Sequence, residues 1–495
     1  MNGSEISVPS FQIPSGDLNF LASEENLYDY SNLYGFSEWL HHELEDVSFS
    51  EKQPLLILSH SSDKLIFLIA ASFLLDIPIL SLNPGSTQQE LDNTFKHVNP
   101  AAVYTDQEKD FGDNRAAMIS IPTTALKEKA AWNSELFTLA KPGSTAGLFL
   151  TSGSTGAPKI VPIKRRQVFF AASASAENFK PGHNRYWLLC LPLNHIGGIS
   201  IIYRSLLYQS AIYRMENFDV NQVKVFLSEN KLFQVASFVP TMLIKLLEFP
   251  LFQVHKQFKA LLLGGGPVSL DLIKQSETKG IPIVSSYGMT ETCAQIAANP
   301  VLKPMGMYVP KKSVGRIFPP NEIEIRNEGG SAVPPIESGR IWLKGPQVFD
   351  GYTDEDLNRK VFDEDGWFDT GDYGHINRLN QLFVENRRTD LIISGGENVN
   401  PFEVEEALNS LEEIQEAAVV GVPDKEWGQK VVAYIITEQE SKPDTDSLRK
   451  ELQNRLSSFK IPKEFHFIEA IPKSDMGKIL RYDLISRYGK KEKMV

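Results

Sequence analysis

The sequence predicts an α/β fold. A large N-terminal domain of stacked β-sheets with helices, carrying a β-rich subdomain, is followed by a small C-terminal α+β domain. Three observations lead there. In the first third of the chain, short apolar strands alternate with helix-like segments. From Leu148 onward, strand after strand ends in a loop of small or polar residues. Near Arg387 the pattern restarts and builds a separate unit of about 105 residues, a plausible size for one domain.

The elements follow in order. Pro54–Leu58 reads as a strand, Asp63–Leu75 as a buried helix, Ile77–Leu82 as a strand and Gln88–His97 as a polar-faced helix. That order is a βαβ layer. Residues 107–140 carry no readable pattern. The strands Leu148–Leu150, Trp187–Leu191, Ala260–Leu263 and Ile283–Ser285 each run into a distinctive loop. Open α/β sheets bind ligands at the carboxyl ends of their strands, so these loops are placed to converge. Residues 315–385 are β-rich, with strands at Glu322–Arg326, Arg340–Leu343 and Leu382–Val384 between Gly, Pro and Asp turns. This puts an N-terminal domain at 1–386, a linker at 387–390 and a last domain at 391–495.

In that last domain Asn400 and Pro401 predict a helix start, with Glu403 completing an Asn-x-x-Glu box. Val404, Ala407, Leu408 and Leu411 form its apolar stripe. Strands at Ala417–Val422 and Val431–Thr437, a helix over Leu448–Leu456 and a strand near Phe465–Ile468 complete the unit.

Composition narrows the function. With 62 acidic and 50 basic residues the formal net charge is −12. That argues against a nucleic-acid surface or a polybasic membrane anchor. Cys190 and Cys293 are the only cysteines, too few for a disulfide framework or a zinc site, and they are expected as small buried residues. Met1–Gln12 shows no signal-peptide pattern, and the longest apolar run, Leu65–Leu75, is far short of a span. A cytoplasmic protein is expected.

The chemistry centres on Thr151–Lys159, where Thr151, Ser152, Gly153, Ser154, Thr155, Gly156 and Lys159 follow an apolar strand. Glycines let backbone N–H groups turn inward around an anion, and the hydroxyls and lysine add donors and charge. It is not a Walker A loop, because Pro158 precedes the lysine and Ile160 follows it. Alone, such a run is more often a flexible loop than a site.

Five further motifs change that balance: Tyr287–Glu291, Gly366–Asp372, Arg387 with Asp390, Gly395–Glu397 and Pro472–Lys478. Taken in order over Leu148–Tyr482, the six resemble the adenylate-forming superfamily of acyl-CoA synthetases, peptide-synthetase adenylation domains and luciferases. Leu191–Gly198 and Leu262–Gln295 resemble most the branch of that family that activates o-succinylbenzoate for menaquinone synthesis. The resemblance implies ATP and Mg²⁺ as cofactors and coenzyme A as co-substrate. It also implies a mobile C-terminal domain, rotating about the linker between two half-reactions.

Residue roles follow from the same resemblance. Thr151–Gly156 and Lys159 would hold phosphates. Gly264, Gly265, Gly266, Pro267, Ser286, Tyr287, Gly288 and Met289 would form the adenine slot. Thr290 would touch both ATP and acid, and Glu291 would hold Mg²⁺, which favours a carboxylate plus phosphate oxygens. Asp372 and Arg387 would read the ribose. Lys478 would bridge the acyl carboxylate and the α-phosphate, and Gly395, Gly396 and Glu397 would face coenzyme A. His195, Gly197, Gly198 and Arg204 would line the acyl pocket, Arg204 gripping a second carboxylate. If Gly197-Gly198 opens a helix, its free N–H groups would favour an anion as well.

The chain departs from the family pattern at Ile160, Asn386, Arg340, Met476 and the linker residue Thr389. The first four remove no charge the chemistry needs, whereas Thr389 stands where the family's hinge usually carries Asp or Lys and leaves the pivot residue open. Three other readings stay open: a ligase for another aromatic or medium-chain acid, an enzyme loading a carrier-protein thiol, and a silent nucleotide-binding regulator. Expected partners are small molecules (the acid, ATP and coenzyme A), with a homodimer left open and no nucleic acid.

Overall fold

A computed structural model of the chain describes residues 8–9, 11–109, 111, 116–137, 141–151, 159–266, 268–301, 312–387, 392–394, 397–424, 427–437, 443–456, 458–474 and 477–492. It divides into two compact units, Met1–Ile323 with Leu343–Phe368, and Glu324–Trp342 with Asp369–Val495. The strands at 322–344 and 368–387 thus group with the C-terminal residues, within what the sequence reads as the N-terminal domain.

The first unit holds two sheets. In the nine-stranded sheet six strands run parallel, in the order Asn19–Ala22, Ala211–Arg214, Tyr186–Leu189, Phe233–Phe238, Ala260–Leu263 and Ile283–Met289. Leu27–Asp29 closes one edge antiparallel, and Ala294–Ala298 with Arg316–Ile317 closes the other. The six-stranded sheet orders Ala117–Ile119, Ala102–Thr105, Leu55–Leu58, Ile79–Ser81, Thr145–Thr151 and Lys159–Lys164. Strands buried on both faces read as continuous apolar runs, which is why Leu55–Leu58 and Ala260–Leu263 were legible. The helix Asp63–Leu74 is apolar on all sides and buried, and the Ser62 hydroxyl caps it by accepting the Leu65 N–H at 3.2 Å.

Several elements differ from the sequence reading. A strand at Ala117–Ile119 and a short 3₁₀ turn at Ala125–Lys127 lie in the patternless stretch, each too short to show a period. Lys159–Lys164 is an edge strand, and Pro162 within it is what hides it, since proline is tolerated only at edges. Tyr287–Met289 continue the strand from Ile283 instead of forming a loop.

The second unit also has two sheets. One orders Glu322–Arg326, Gly339–Lys344, Phe368–Ile376 and Leu382–Arg387; the other orders Glu397–Val399, Ile392–Ser394, Gly428–Thr437 and Ile414–Asp424, with Glu464–Phe467 pairing onto Gly428–Thr437. The helix Pro401–Asn409 buries Val404 and Leu408 in a core with Leu411, Val419 and Val431. The expected capping box does not form. Asn400 Oδ1 accepts the Phe402 N–H at 3.0 Å, while Glu403 pairs with Lys460 at 2.7 Å. The basic residues after Tyr488 continue a helix, Arg481–Glu492.

Candidate active site

In the first unit the site is built around one sharp reversal. The strand Ile283–Met289 turns through Thr290–Thr292 and returns as Ala294–Ala298. Cys293 and Ala294 take left-handed backbone angles, φ 51° and 71°, to make so tight a turn. Gly288 is obligatory here, since a Cβ on it would lie 1.8 Å from the Ala294 carbonyl oxygen. The Thr292 hydroxyl accepts the Met289 N–H at 3.0 Å, tying the turn to its own start.

Gln347, fully buried, fixes the turn from outside. Its Nε2 donates to the carbonyls of Thr292 at 2.8 Å and Gln295 at 2.6 Å. The Phe349 N–H donates to the Glu291 carbonyl at 2.9 Å. The Glu291 side chain is then set by Tyr352, whose hydroxyl donates to Glu291 Oε1 at 2.7 Å. Across the face of the same ring lies the ammonium of Lys159, 5.1 Å from the centroid. The structure therefore brings together the phosphate-loop lysine and the candidate metal carboxylate. Neither Gln347 nor Tyr352 was among the expected site residues.

Neighbouring strand ends supply the rest. Ser286 Oγ donates to the Leu263 carbonyl at 3.1 Å, joining the two strands that end at Leu263 and Met289. Gly265 adopts φ 78° in that first loop, and Gly266 follows it before the helix Leu270–Thr278. Tyr287 and Met289 are buried and Gly288 is exposed, so the open surface of this strand is glycine backbone. Thr290 is half-buried in the turn and Thr151 ends its strand half-buried. Ser152, Gly153, Ser154, Thr155, Gly156 and Pro267 lie outside the described residues.

His195 is the N-cap residue of the helix Ile196–Tyr208, and its ring contacts Asn194. The expectation that Gly197 and Gly198 both offer free N–H groups needs correction. The Gly198 N–H already donates to the His195 carbonyl at 3.1 Å. Gly198 instead serves close packing, because a Cβ there would sit 2.3 Å from the Pro192 carbonyl oxygen.

Arg204, on the same helix, does not reach solvent; it is 3% exposed. Its guanidinium lies over the Trp187 ring at 5.4 Å, and its Nε has no hydrogen-bond partner. Burial lowers its pKa, opposed by Tyr208 and by Cys293, which follows the Glu291 turn by one residue. Cys293 is buried as expected while Cys190 is only half-buried; both are free thiols pushed up to about 12 by the burial of the sulfur, and so are poor nucleophiles.

In the second unit, Asp372 and Arg387 stand directly opposite each other on the antiparallel strands Phe368–Ile376 and Leu382–Arg387. Asp372 is 3% exposed and belongs to a strand, not to a free turn. Its N–H donates to Thr370 Oγ1 at 3.1 Å, and Thr370 Oγ1 donates to the Ile341 carbonyl at 2.8 Å. Arg340, one of the departures, forms an ion pair with Asp369, whose Oδ1 accepts the Gly371 N–H at 3.1 Å. Arg340 thus anchors the segment leading to Asp372.

Lys478 is exposed on a small turn bridged between Lys473 and Ile479. The Ser474 N–H donates to the Lys478 carbonyl at 2.8 Å, and the Lys478 N–H to Ser474 Oγ at 3.2 Å. The Pro-Lys-Ser frame therefore shapes the turn that presents the lysine. Glu397 begins the strand Glu397–Val399, while Gly395, Gly396 and Arg388–Asp390 lie outside the described residues.

Among the described residues no three His, Cys, Asp or Glu side chains gather to hold a metal unaided. A single presented carboxylate fits Mg²⁺, which keeps most of its ligands as water and phosphate oxygens. No described helix is long and apolar enough to cross a membrane.

The chain is similar to several known proteins. The 2-succinylbenzoate–CoA ligase of Enterococcus faecalis is 34% identical over 439 residues, covering 88% of this chain and 89% of that protein. Two solved structures of o-succinylbenzoate CoA synthetase from Bacillus subtilis match at 31% identity over 94% of this chain. The one with the acyl-adenylate intermediate is covered to 95% with a TM-score of 0.83. The one with ATP and magnesium ion is covered to 96%, also at 0.83. Residues 403–478 match the AMP-binding enzyme C-terminal domain. Residues 16–353 match the AMP-binding enzyme family itself, and the chain belongs to that family of adenylate-forming enzymes.

Proposed function

We propose that the protein is an ATP- and Mg²⁺-dependent acid–coenzyme A ligase that works through an acyl-adenylate. Its acid is o-succinylbenzoate, the step belongs to menaquinone synthesis, and AMP and pyrophosphate are released. The relatives' named activity supports this reading, as does the pairing of Lys159 with Glu291 around one ring. An acid carboxylate and an α-phosphate repel, so the enzyme must neutralise charge and align the two groups. Lys159 and the Thr151–Gly156 loop hold the phosphates, Glu291 would hold Mg²⁺, and the ion would neutralise phosphate charge there. Gly264–Pro267 and Ser286–Met289 receive the adenine, Asp372 and Arg387 the ribose, and Lys478 aligns the reacting carboxylate.

Gly395, Gly396 and Glu397 serve the second half-reaction, in which the coenzyme A thiol attacks the acyl-adenylate. Residues 387–390 are the hinge between domains 1–386 and 391–495. The free cysteines accord with a reducing cytoplasm.

The observation that carries the choice of acid is Arg204. A buried guanidinium without an ion pair among the described residues is costly. A substrate with a second carboxylate supplies the missing partner, in the two-pronged geometry arginine favours. A monocarboxylic acid does not. Pyrophosphate exchange with a panel of acids tests this directly. The dicarboxylate should outperform benzoate analogues lacking the second carboxyl group. Arg204→Leu should raise its KM by about tenfold or more, leaving the KM for ATP within about twofold. A monocarboxylic aryl acid as the better substrate moves the assignment to a general aryl–CoA ligase.

A further inference from the structure

Tyr352 lies 61 residues from Glu291 in sequence, yet it is the side chain that fixes the Glu291 carboxylate. Its own position is over-determined. Its backbone N–H donates to Asn358 Oδ1 at 2.7 Å, and Asn358 Nδ2 donates back to its carbonyl at 2.9 Å. Phe349 packs edge-on against its ring at 4.8 Å. Two residues earlier, Asp350 is clamped by Arg166 and Lys164, and the Thr353 N–H donates to the Ile160 carbonyl at 3.3 Å. The segment is therefore fastened to the strand that begins at Lys159.

This ring meets two opposite charges at two different places. Its hydroxyl, a hydrogen-bond donor, holds the carboxylate; its negative face holds the ammonium. Lys159 and Glu291 form no ion pair with each other, although both reach the same side chain. A direct pair would cancel the two charges that a magnesium–nucleotide complex needs.

We propose that Tyr352 is a positioning residue for the metal and phosphate subsites. It holds one Glu291 oxygen so that the other faces the metal, and it acts as an aromatic spacer keeping Lys159 from collapsing onto Glu291. The inference rests on the reading of Glu291 as the metal carboxylate.

The test uses the non-cleavable α,β-methylene analogue of ATP and calorimetric titration of the full-length protein, with Mg²⁺ and with EDTA. The ratio of the two Kd values measures how strongly metal and nucleotide binding are coupled. Tyr352→Phe keeps the ring and removes only the hydroxyl. The ratio should fall about tenfold with the metal-free Kd unchanged. Tyr352→Leu removes the ring as well, and its metal-free Kd should also rise severalfold as Lys159 turns to Glu291. In Glu291→Gln the ratio should fall, and adding Tyr352→Phe to that variant should change it little further.

A Tyr352→Phe protein whose Kd rises equally with and without Mg²⁺ has lost packing only, which overturns the proposal. A ratio that falls in Glu291→Gln but not in Tyr352→Phe overturns the Tyr352 role alone. A ratio unchanged in Glu291→Gln takes the metal away from Glu291 and overturns both readings.

Discussion

The Glu291 turn and the Lys478 turn are both short connections that present one charged side chain, and they are built differently. At Glu291 everything is fixed. The backbone is held by Thr292, Gln347 and Phe349, and the carboxylate itself by Tyr352. At Lys478 the backbone is held through Ser474, while the side chain is exposed. Fixing a carboxylate before substrate arrives removes the entropy of ordering it later. An exposed ammonium, by contrast, keeps part of its hydration until an anion replaces the water. The difference separates a charge built into the fold from one merely displayed by it.

Breaking the displayed charge gives the largest effect. Lys478→Ala should slow adenylate formation by about 10²–10³-fold, as removal of one charge-stabilising donor does. The Ser474 contacts involve the Lys478 backbone and survive the substitution, so the circular dichroism spectrum should stay native. Thioester formation from supplied acyl-adenylate should remain near normal. Equal loss in both half-reactions would make Lys478 structural and erase the contrast.

The next test asks whether Asp372, buried in its ladder, behaves like Glu291 as a built-in charge. Asp372→Asn should raise the KM for ATP by about tenfold while affecting 2′-deoxy-ATP much less, because the charged acceptor for the ribose hydroxyls is gone. Comparable losses for both nucleotides would detach Asp372 from the ribose. The smallest effect is expected at Arg340. Arg340→Lys keeps the charge on Asp369 but loses the planar fork, so the preference for ATP over 2′-deoxy-ATP should shrink by about threefold. An unchanged preference would show that the anchor does not reach Asp372.

How legible this was depended on the length of chain an interaction spans. Motifs confined to a few residues, such as Pro472–Lys478, announce themselves, and the frame residue Ser474 does close the turn. The stripe Val404–Leu408–Leu411 was readable because a helix repeats its face. Gln347 and Tyr352 were not, because nothing within ten residues of either marks a partner at 291–295. Arg340 was visible only as an oddity; its meaning needed the pairing with Asp369 across two strands. Asp372 and Arg387 were each singled out, but that they are paired positions on adjacent strands is a fact of strand register. The Gly198 misreading has the same root. A glycine that frees a backbone and a glycine that admits a neighbour look alike until the Pro192 carbonyl is seen beside it.

The proline that concealed the strand Lys159–Lys164 has a consequence for the protein's life in a crowded solution. An edge strand offers a ribbon of unmet amide groups on which another polypeptide can crystallise, the seed of fibrils and precipitates. Pro162 deletes one of those amides, and the Thr353 N–H already occupies the Ile160 carbonyl beside it. The residue that makes the margin of the six-stranded sheet hard to recognise thus also blunts it as a template, together with the segment fastened along it.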